Sequence, residues 1–195
     1  MEIILIRHFA TKENIEKRYL VFTDTPSIRG DYKIPKMDYE KNCLIFTSPL
    51  LRCRETADII FPKSPKIVIE SLKEMNFGKF ENKSYDELKN DRNYMLWLDS
   101  NCEDSCPDGE SKLEFIERTK AAICQIIEYA IKQNEKQVAI IAHDGTAKAA
   151  AQAFFTQKPQ YFSFKLSYGE SVEFICNEKN WKEHKILTLK DCKPA

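Results

Sequence analysis

The sequence predicts an α/β fold, a sheet carrying helices on both faces, from three observations. Short β-branched runs alternate with helix-length segments along the chain. Two of these runs, IILIRH and VAIIAH, are continuously apolar rather than alternating, as strands buried on both faces are. The chain of 195 residues can bury a substantial core and shows no repeat, linker or low-complexity segment, so one domain over 1–195 is expected.

Residues 2–6 (EIILI) read as the first strand and residues 43–48 (CLIFTS) as the second. Pro49 suits the first turn of a helix running to about Ile60, because its fixed φ and missing N–H cost nothing there. Residues 66–70 (KIVIE) form a third short strand. Two short helices are expected around SYDELK and NYMLWL, and CPDGES reads as a loop. From Glu110 to about Gln133, Leu113, Ile116, Ala121, Ile123, Ile127 and Ile131 recur at helical spacing. Ser111 and Glu114 have the spacing of a capping box at its start. Residues 137–143 (QVAIIAH) give a strand ending in histidine, followed by the Ala-rich helix AKAAAQAFF. Residues 161–176 read as two strands around Gly169, and residues 182–190 (KEHKILTLK) as a last strand.

Thirty basic and thirty acidic residues balance, so gross charge supports neither nucleic-acid nor membrane-surface binding. No stretch approaches the roughly 18 apolar residues of a membrane span. The seven cysteines are an odd count with no C-x-x-C pair, and the first strand meets Arg7 too soon for a signal peptide. A reducing cytoplasm is expected. Cys102 and Cys106 could be half of a metal site but lack a second Cys/His pair at metal-ligand spacing, so no structural zinc is expected.

Two of the three histidines, His8 and His143, end buried strands, and ligands of open α/β sheets gather outside the carboxyl ends of strands. Arg7 adjoins His8, and Arg52 and Arg54 lie one turn into the helix after CLIFTS. Guanidinium groups match phosphate oxygens bidentately and stay charged, and helix N-termini offer N–H groups to an anion. The combination describes a phosphate pocket.

The motifs around these residues resemble the histidine phosphatase superfamily, the phosphoglycerate-mutase-like family. RHFATKENIEKR is similar to its R-H-G-x-T-x-x-N-x-x-x-R, with Thr11, Asn14 and Arg18 in register. TSPLLRCRETA resembles S-P-L-x-R-A-x-Q-T-A and selects Arg52 over Arg54. LKEMNFGKFENKSYDEL nominates Glu74, PDGESKLEFIER matches P-x-G-E-S-x-x-x-F-x-x-R, and IAHDGTAKA matches the second-histidine segment. The resemblance implies a three-layer α/β/α sandwich with a mostly parallel central sheet. It implies His8 as nucleophile, forming a phosphohistidine without metal or other cofactor, with Arg7, Arg52, His143 and Asn14 holding the phosphoryl group. Glu74 is implied as the acid that protonates the leaving alkoxide and then helps activate water. Thr11, Arg18 and Asp144 join the substrate-binding set, Asp144 through its backbone N–H.

Three departures stand out. Phe9 replaces the glycine after the nucleophilic histidine, which requires either negative φ there or a reshaped rim. The 30–43 connection is short, so a truncated helix or a loop is expected. Asn82 stands where the family often has glycine and reads as a surface change.

Arg54 and His184 read as surface residues, Glu81 as a solvated rival to Glu74, and Tyr94, Trp97 and Trp181 as core aromatics. Glu110 and Ser111 read as ordering the loop and capping the long helix. No basic, proline-rich insertion separates Glu74 from His143, and that stretch holds only Arg92 and Arg118 as arginines, which favours a phosphatase over a mutase. Residues 74–100 followed by CPDGES most resemble the α-ribazole-phosphatase branch, which acts on α-ribazole 5′-phosphate. The partner expected is therefore a small-molecule phosphomonoester, with the chain a monomer or homodimer. Competing readings are a phosphoglycerate mutase, a sugar-phosphate phosphatase, and a weak phospho-ligand binder in which Phe9 blocks attack.

Overall fold

The structure, a computed structural model, describes residues 1–28, 30 and 43–190. The 30–43 connection falls mainly in residues 31–42 and lies outside the described residues, as does Cys192. Among the described residues six strands form one mixed sheet: β1 (Glu2–Arg7), β2 (Leu44–Thr47), β3 (Lys66–Val68), β4 (Gln137–Ala142), β5 (Ser171–Ile175) and β6 (Thr188–Leu189). Their order is β3-β2-β4-β1-β5-β6. β3, β2, β4 and β1 run parallel, and β5 pairs antiparallel with β1 and with β6.

The helices are α1 (Lys12–Ile15), α2 (Leu51–Ile60), α3 (Tyr85–Leu88), α4 (Arg92–Asp99), α5 (Lys112–Lys132), α6 (Asp144–Phe154) and α7 (Glu178–His184). The continuous apolar character of β1 and β4 has its cause in two-sided burial. Ile3, Leu5, Val138 and Ile140 pack with Ile123, Ile127, Ala147 and Phe154 of α5 and α6. Ile4, Ile6, Ala139 and Ile141 face the other way, onto Cys53, Ala57 and Ile60 of α2. Each such isoleucine contributes roughly 1.5–3 kcal/mol by leaving water. A third cluster joins Phe80, Tyr94, Trp97, Cys106 and Phe115 beyond the sheet edge.

Pro49 lies just ahead of α2, whose N-cap is Leu50. Ser111 caps α5 in a capping box with Glu114, as predicted. The buried stripe of α5 differs from the predicted one: Phe115, Thr119, Ala122, Ile123, Ile126, Ile127 and Ala130 face inward, while Leu113 is 66% exposed. The predicted stripe passes through exposed Leu113 and Ala121, whereas Phe115 and Thr119 carry the buried face in the first turns.

Residues 161–176 form one strand rather than two. Residues 161–163 make a 3₁₀ turn and β5 begins at Ser171. At Leu166 the backbone is diverted from the sheet, its N–H bonded to the Asp144 side chain and its carbonyl to the Arg7 side chain. Residues 182–190 are likewise mostly not strand. Asn177 caps α7 by accepting from the N–H groups of Lys179 and Asn180, Trp181 packs on Phe154, and Lys185 ends the helix in the left-handed region at φ +53°. Only Thr188 and Leu189 pair with β5.

Candidate active site

The register of the parallel strands assembles the site. Arg7 of β1 stands opposite Ala142 of β4, so the next residue of each strand, His8 and His143, come side by side. Their ring centroids are 5.1 Å apart at 66°. Thr47 of β2 stands opposite Ile141, which brings Ser48 beside His143, and the Ser48 hydroxyl and His143 Nε2 are hydrogen-bonded at 3.0 Å. A cavity of about 710 Å³ opens at these strand ends, lined by Arg7, His8, Arg52, Glu74 and His143. Asn14, Arg18 and Asp144 line it as well.

His8 is buried, and its Nδ1 lies 2.7 Å from the Phe9 carbonyl oxygen. A carbonyl only accepts, so Nδ1 carries the proton and Nε2, across the ring, keeps its lone pair. Burial, followed by Arg52 and then Arg7, holds the His8 pKa well below the usual histidine value, against the opposing Phe9 bond. His143 is held down in the same way by burial, then Arg52 and His8. Both rings are neutral at pH 7.

Arg52 of α2 is buried and donates from Nη2 to the Leu20 carbonyl at 3.1 Å, while its Nε and Nη1 have no partner among the described residues. Arg7 donates from Nη1 to the Leu166 carbonyl, and its Nε is likewise buried without a partner. A buried, unpaired guanidinium donor costs on the order of 1–3 kcal/mol. Three such donors beside one cavity form an anion-binding edge.

Glu74 follows a 3₁₀ turn and reaches the first turn of α6. Its carboxylate accepts from the N–H of Met75 at 3.0 Å and of Gly145 at 3.3 Å. Burial pushes its pKa up and Asp144 adds to this, against the Met75 and Gly145 N–H groups and Lys148. The backbone that delivers Glu74 is clamped from α5: Arg118 donates to the carbonyls of Ser71, Lys73 and Glu74 while paired bidentately with Glu110. Glu110 also accepts from the Asn76 N–H, the ordering role predicted for it.

Other nominated residues take different places. Thr11 caps α1 in a capping box with Asn14 and does not line the cavity. Asn14 accepts from the Thr11 N–H through Oδ1, which leaves its amide nitrogen for the cavity. Arg18 sits at the rim, tied to Glu16, Glu87 and the Asn82 carbonyl. The Asp144 carboxylate binds Lys148 and the Leu166 N–H and lies 3.9 Å from Arg7 Nη1, with His143 rather than Asp144 at the N-cap of α6.

Phe9 resolves the question its position raised. It keeps negative φ, its side chain packs with Ile4, Ile6 and Ala57 beneath the sheet, and its N–H donates to Thr56 Oγ1 at 2.9 Å. The pocket rim is not crowded by it. Asn82 occupies the left-handed region at φ +55°, a conformation that asparagine tolerates better than most residues and that explains glycine at the corresponding place.

Glu81 corrects the sequence reading: its carboxylate is half-buried and accepts from the N–H groups of Val21, Phe22 and Thr23. Arg54 and His184 are exposed, and Tyr94, Trp97 and Trp181 are buried; Trp97 also reaches the cavity. Sequence reasoning missed Ser48, which bonds His143, and Lys148, Tyr161, Lys165 and Tyr168 on the cavity wall, although Ser48 and Lys148 stood in quoted motifs. Cys53 lies 3.6 Å from His143 Nε2, but burial pushes its thiol up to about 12, so it stays protonated and is no rival nucleophile. Among the described residues no group of three His, Cys, Asp or Glu side chains is arranged to hold a metal, and no helix is long and apolar enough to cross a membrane.

Paired strand-end histidines on one cavity with buried guanidiniums mark a class of α/β protein. The chain belongs to the histidine phosphatase superfamily (branch 1), whose family model matches residues 34–187. It is 29% identical over 137 residues to the probable phosphoglycerate mutase GpmB of Escherichia fergusonii, covering 66% of this chain and 64% of that protein. The α-ribazole phosphatase of Shigella flexneri superposes with a TM-score of 0.78 at 23% identity, over 97% of this chain and 95% of that one. The phosphoserine phosphatase of Entamoeba histolytica, in complex with 3-phosphoglyceric acid, gives 0.72 at 24% identity over 97% and 95%. At these identities the two structures bear on the fold.

Proposed function

We propose that this chain is a phosphomonoesterase that works through a phosphohistidine on His8. The observation that carries this reading is the Nδ1–H bond to the Phe9 carbonyl, which fixes the tautomer with the lone pair on Nε2 in a ring that stays neutral. In the first step Nε2 attacks phosphorus, the bond from phosphorus to the ester oxygen breaks, and Glu74 gives its proton to the leaving alkoxide. In the second step water attacks the phosphohistidine, the N–P bond breaks, and the Glu74 carboxylate takes a proton from that water. Orthophosphate leaves and both groups are restored. Arg7 and Arg52 supply fixed positive charge to the equatorial oxygens, the role that a metal plays in other phosphoryl-transfer sites. His143 and the Asn14 amide complete the phosphate-binding set.

Hydrolysis is favoured over mutase action by the fate of Arg92 and Arg118. Neither lines the cavity, and Arg118 is committed to Glu110 and the 71–74 backbone. The extra cationic clamp that returning a phosphoryl group to a second hydroxyl calls for is not supplied by them. An α-ribazole 5′-phosphate substrate is supported by the aromatic wall of Tyr19, Phe77, Trp97 and Tyr161, which suits a planar base. A small phosphorylated acid is the second reading, favoured by Lys165 and Lys148 on the same cavity. The balanced charge and the cysteine pattern support a small-molecule partner and a cytoplasmic setting.

The test is phosphate release from α-ribazole 5′-phosphate and from phosphoserine in excess chelator, with His8→Ala alongside. Chelator-resistant turnover lost in the variant is expected. Equal inertness of wild type and variant on both compounds and on a general phosphomonoester would refute the reading.

A further inference from the structure

Arg7 is held by a device that the mechanism above does not use. Its backbone is paired on both sides with the segment after Tyr168: the Arg7 N–H donates to the Glu170 carbonyl at 2.9 Å, and the Gly169 N–H donates to the Arg7 carbonyl at 3.1 Å. That pairing delivers Tyr168 to the guanidinium, whose Cζ lies 3.9 Å from the ring centroid. Nη1 is taken by the Leu166 carbonyl, and Leu166 is itself fixed by its N–H bond to Asp144 Oδ1 at 2.8 Å. One face and one edge of the guanidinium are thereby occupied. What remains is the Nε–Nη2 edge, the side-on fork that matches two phosphate oxygens, with Nε buried and unpartnered.

We infer that Tyr168 is a positioning residue for the phosphate pocket: its ring face, with the Leu166 carbonyl, turns the Nε–Nη2 edge of Arg7 toward the phosphoryl group. The inference rests on the proposed role of Arg7 in binding phosphate. A guanidinium on a β-strand end has several rotamers, and a stacked ring removes those in which the fork faces away. The His8 ring is 6.0 Å from Tyr168, so the same aromatic borders both the nucleophile and its phosphate-binding neighbour. The contact is made by the ring face, so phenylalanine retains it. Leucine keeps bulk and loses the π face.

Competitive inhibition by orthophosphate tests this, because orthophosphate has no leaving group for Tyr168 to touch. Tyr168→Ala and Tyr168→Leu are expected to raise its Ki and the KM about tenfold, the scale of a partly desolvated cation–π contact. The fall in kcat is expected to be smaller, and Tyr168→Phe to restore Ki to within about twofold of wild type by the same reasoning. In an Arg7→Lys background Tyr168→Leu is expected to add little. An unchanged Ki in a folded Tyr168→Leu variant, or the same loss with and without Arg7, overturns the inference while leaving the phosphatase reading intact. A wild type that orthophosphate does not inhibit and that hydrolyses no phosphomonoester overturns both.

Discussion

Glu74 Oε2 lies 3.3 Å from the amide nitrogen of Gly145, and a β-carbon on Gly145 would stand 2.2 Å from Glu74 Oε1. The two residues share a space that admits no methyl group. The backbone of α6 is anchored by buried alanines against the core, whereas the carboxylate is the far end of a flexible side chain. The carboxylate is therefore the part that gives.

Gly145→Ala should accordingly damage chemistry more than stability. General acid–base groups contribute roughly 10²–10⁴-fold, and a displaced acid loses a share of that, so kcat is expected to fall about tenfold or more. Alanine's better helix propensity, worth roughly 1 kcal/mol, offsets the steric cost in Tm. Steady-state kinetics beside thermal denaturation checks this. A variant with wild-type kcat would place the proton donor elsewhere.

The pH profile follows from two opposite shifts. His8 is depressed, so it stays neutral and nucleophilic below the pH at which an ordinary histidine protonates. Glu74 is raised, so it holds its proton above the ordinary carboxylate range and loses it as pH rises. Activity is expected to persist on the acid side of 6.5, the ordinary histidine value, and to decline on the alkaline side as Glu74 ionises. Glu74→Gln should abolish that alkaline limb together with most of kcat. A kcat/KM profile with an acid limb at the ordinary histidine value would contradict the assignment of His8.

The same shifts set the pH dependence of stability. Buried His8 and His143 have folded-state pKa values below their unfolded ones, so the unfolded chain binds more protons as pH falls. Stability is whole above the unfolded histidine value and is lost progressively below it. Glu74 acts in the opposite sense: its raised pKa removes stability as pH rises above the unfolded carboxylate value. Glu74→Gln should therefore raise Tm at pH 7 while it lowers kcat. A lower Tm for that variant at pH 7 would show that the carboxylate is not strained there.

Glu81 separates scaffold from chemistry. Its carboxylate gathers three N–H groups of residues 21–23, next to the Leu20 carbonyl that holds Arg52. Glu81→Ala is expected to cost on the order of 1–2 kcal/mol, as lost charge-assisted bonds do at partly exposed sites. It should raise KM through Arg52 and leave kcat within about threefold, well short of the loss expected from removing a general acid. Loss of kcat at unchanged stability would instead mark Glu81 as the acid.

The central strands, and the gathering of most nominated residues on one cavity, were legible in the sequence because both are written in local patterns. Two-sided burial forces continuous apolar runs, and the parallel register of β1 and β4 turns two strand-end histidines into neighbours. Arg52 and Glu74 were nominated by motif rather than by periodicity, and the structure lines the cavity with both. What sequence could not supply was long-range. The 161–168 segment reads as strand because it is aromatic and apolar, yet the backbone bonds of Leu166 are claimed by Asp144 and Arg7 from distant parts of the chain. Tyr168 carries no local signal and Glu81 reads as solvated for the same reason: their partners, Arg7 and Val21, lie 161 and 60 positions away. Phe9 looked like an obstruction only because the direction of its side chain was unknown.

The most direct test of the account is to quench the enzyme within one turnover of a phosphomonoester and map the modified peptide by mass. The account predicts one added phosphoryl group on His8, labile to acid, formed in excess chelator and missing from His8→Ala. A turning-over wild type that never carries phosphate on His8, or carries it on another residue, would contradict it.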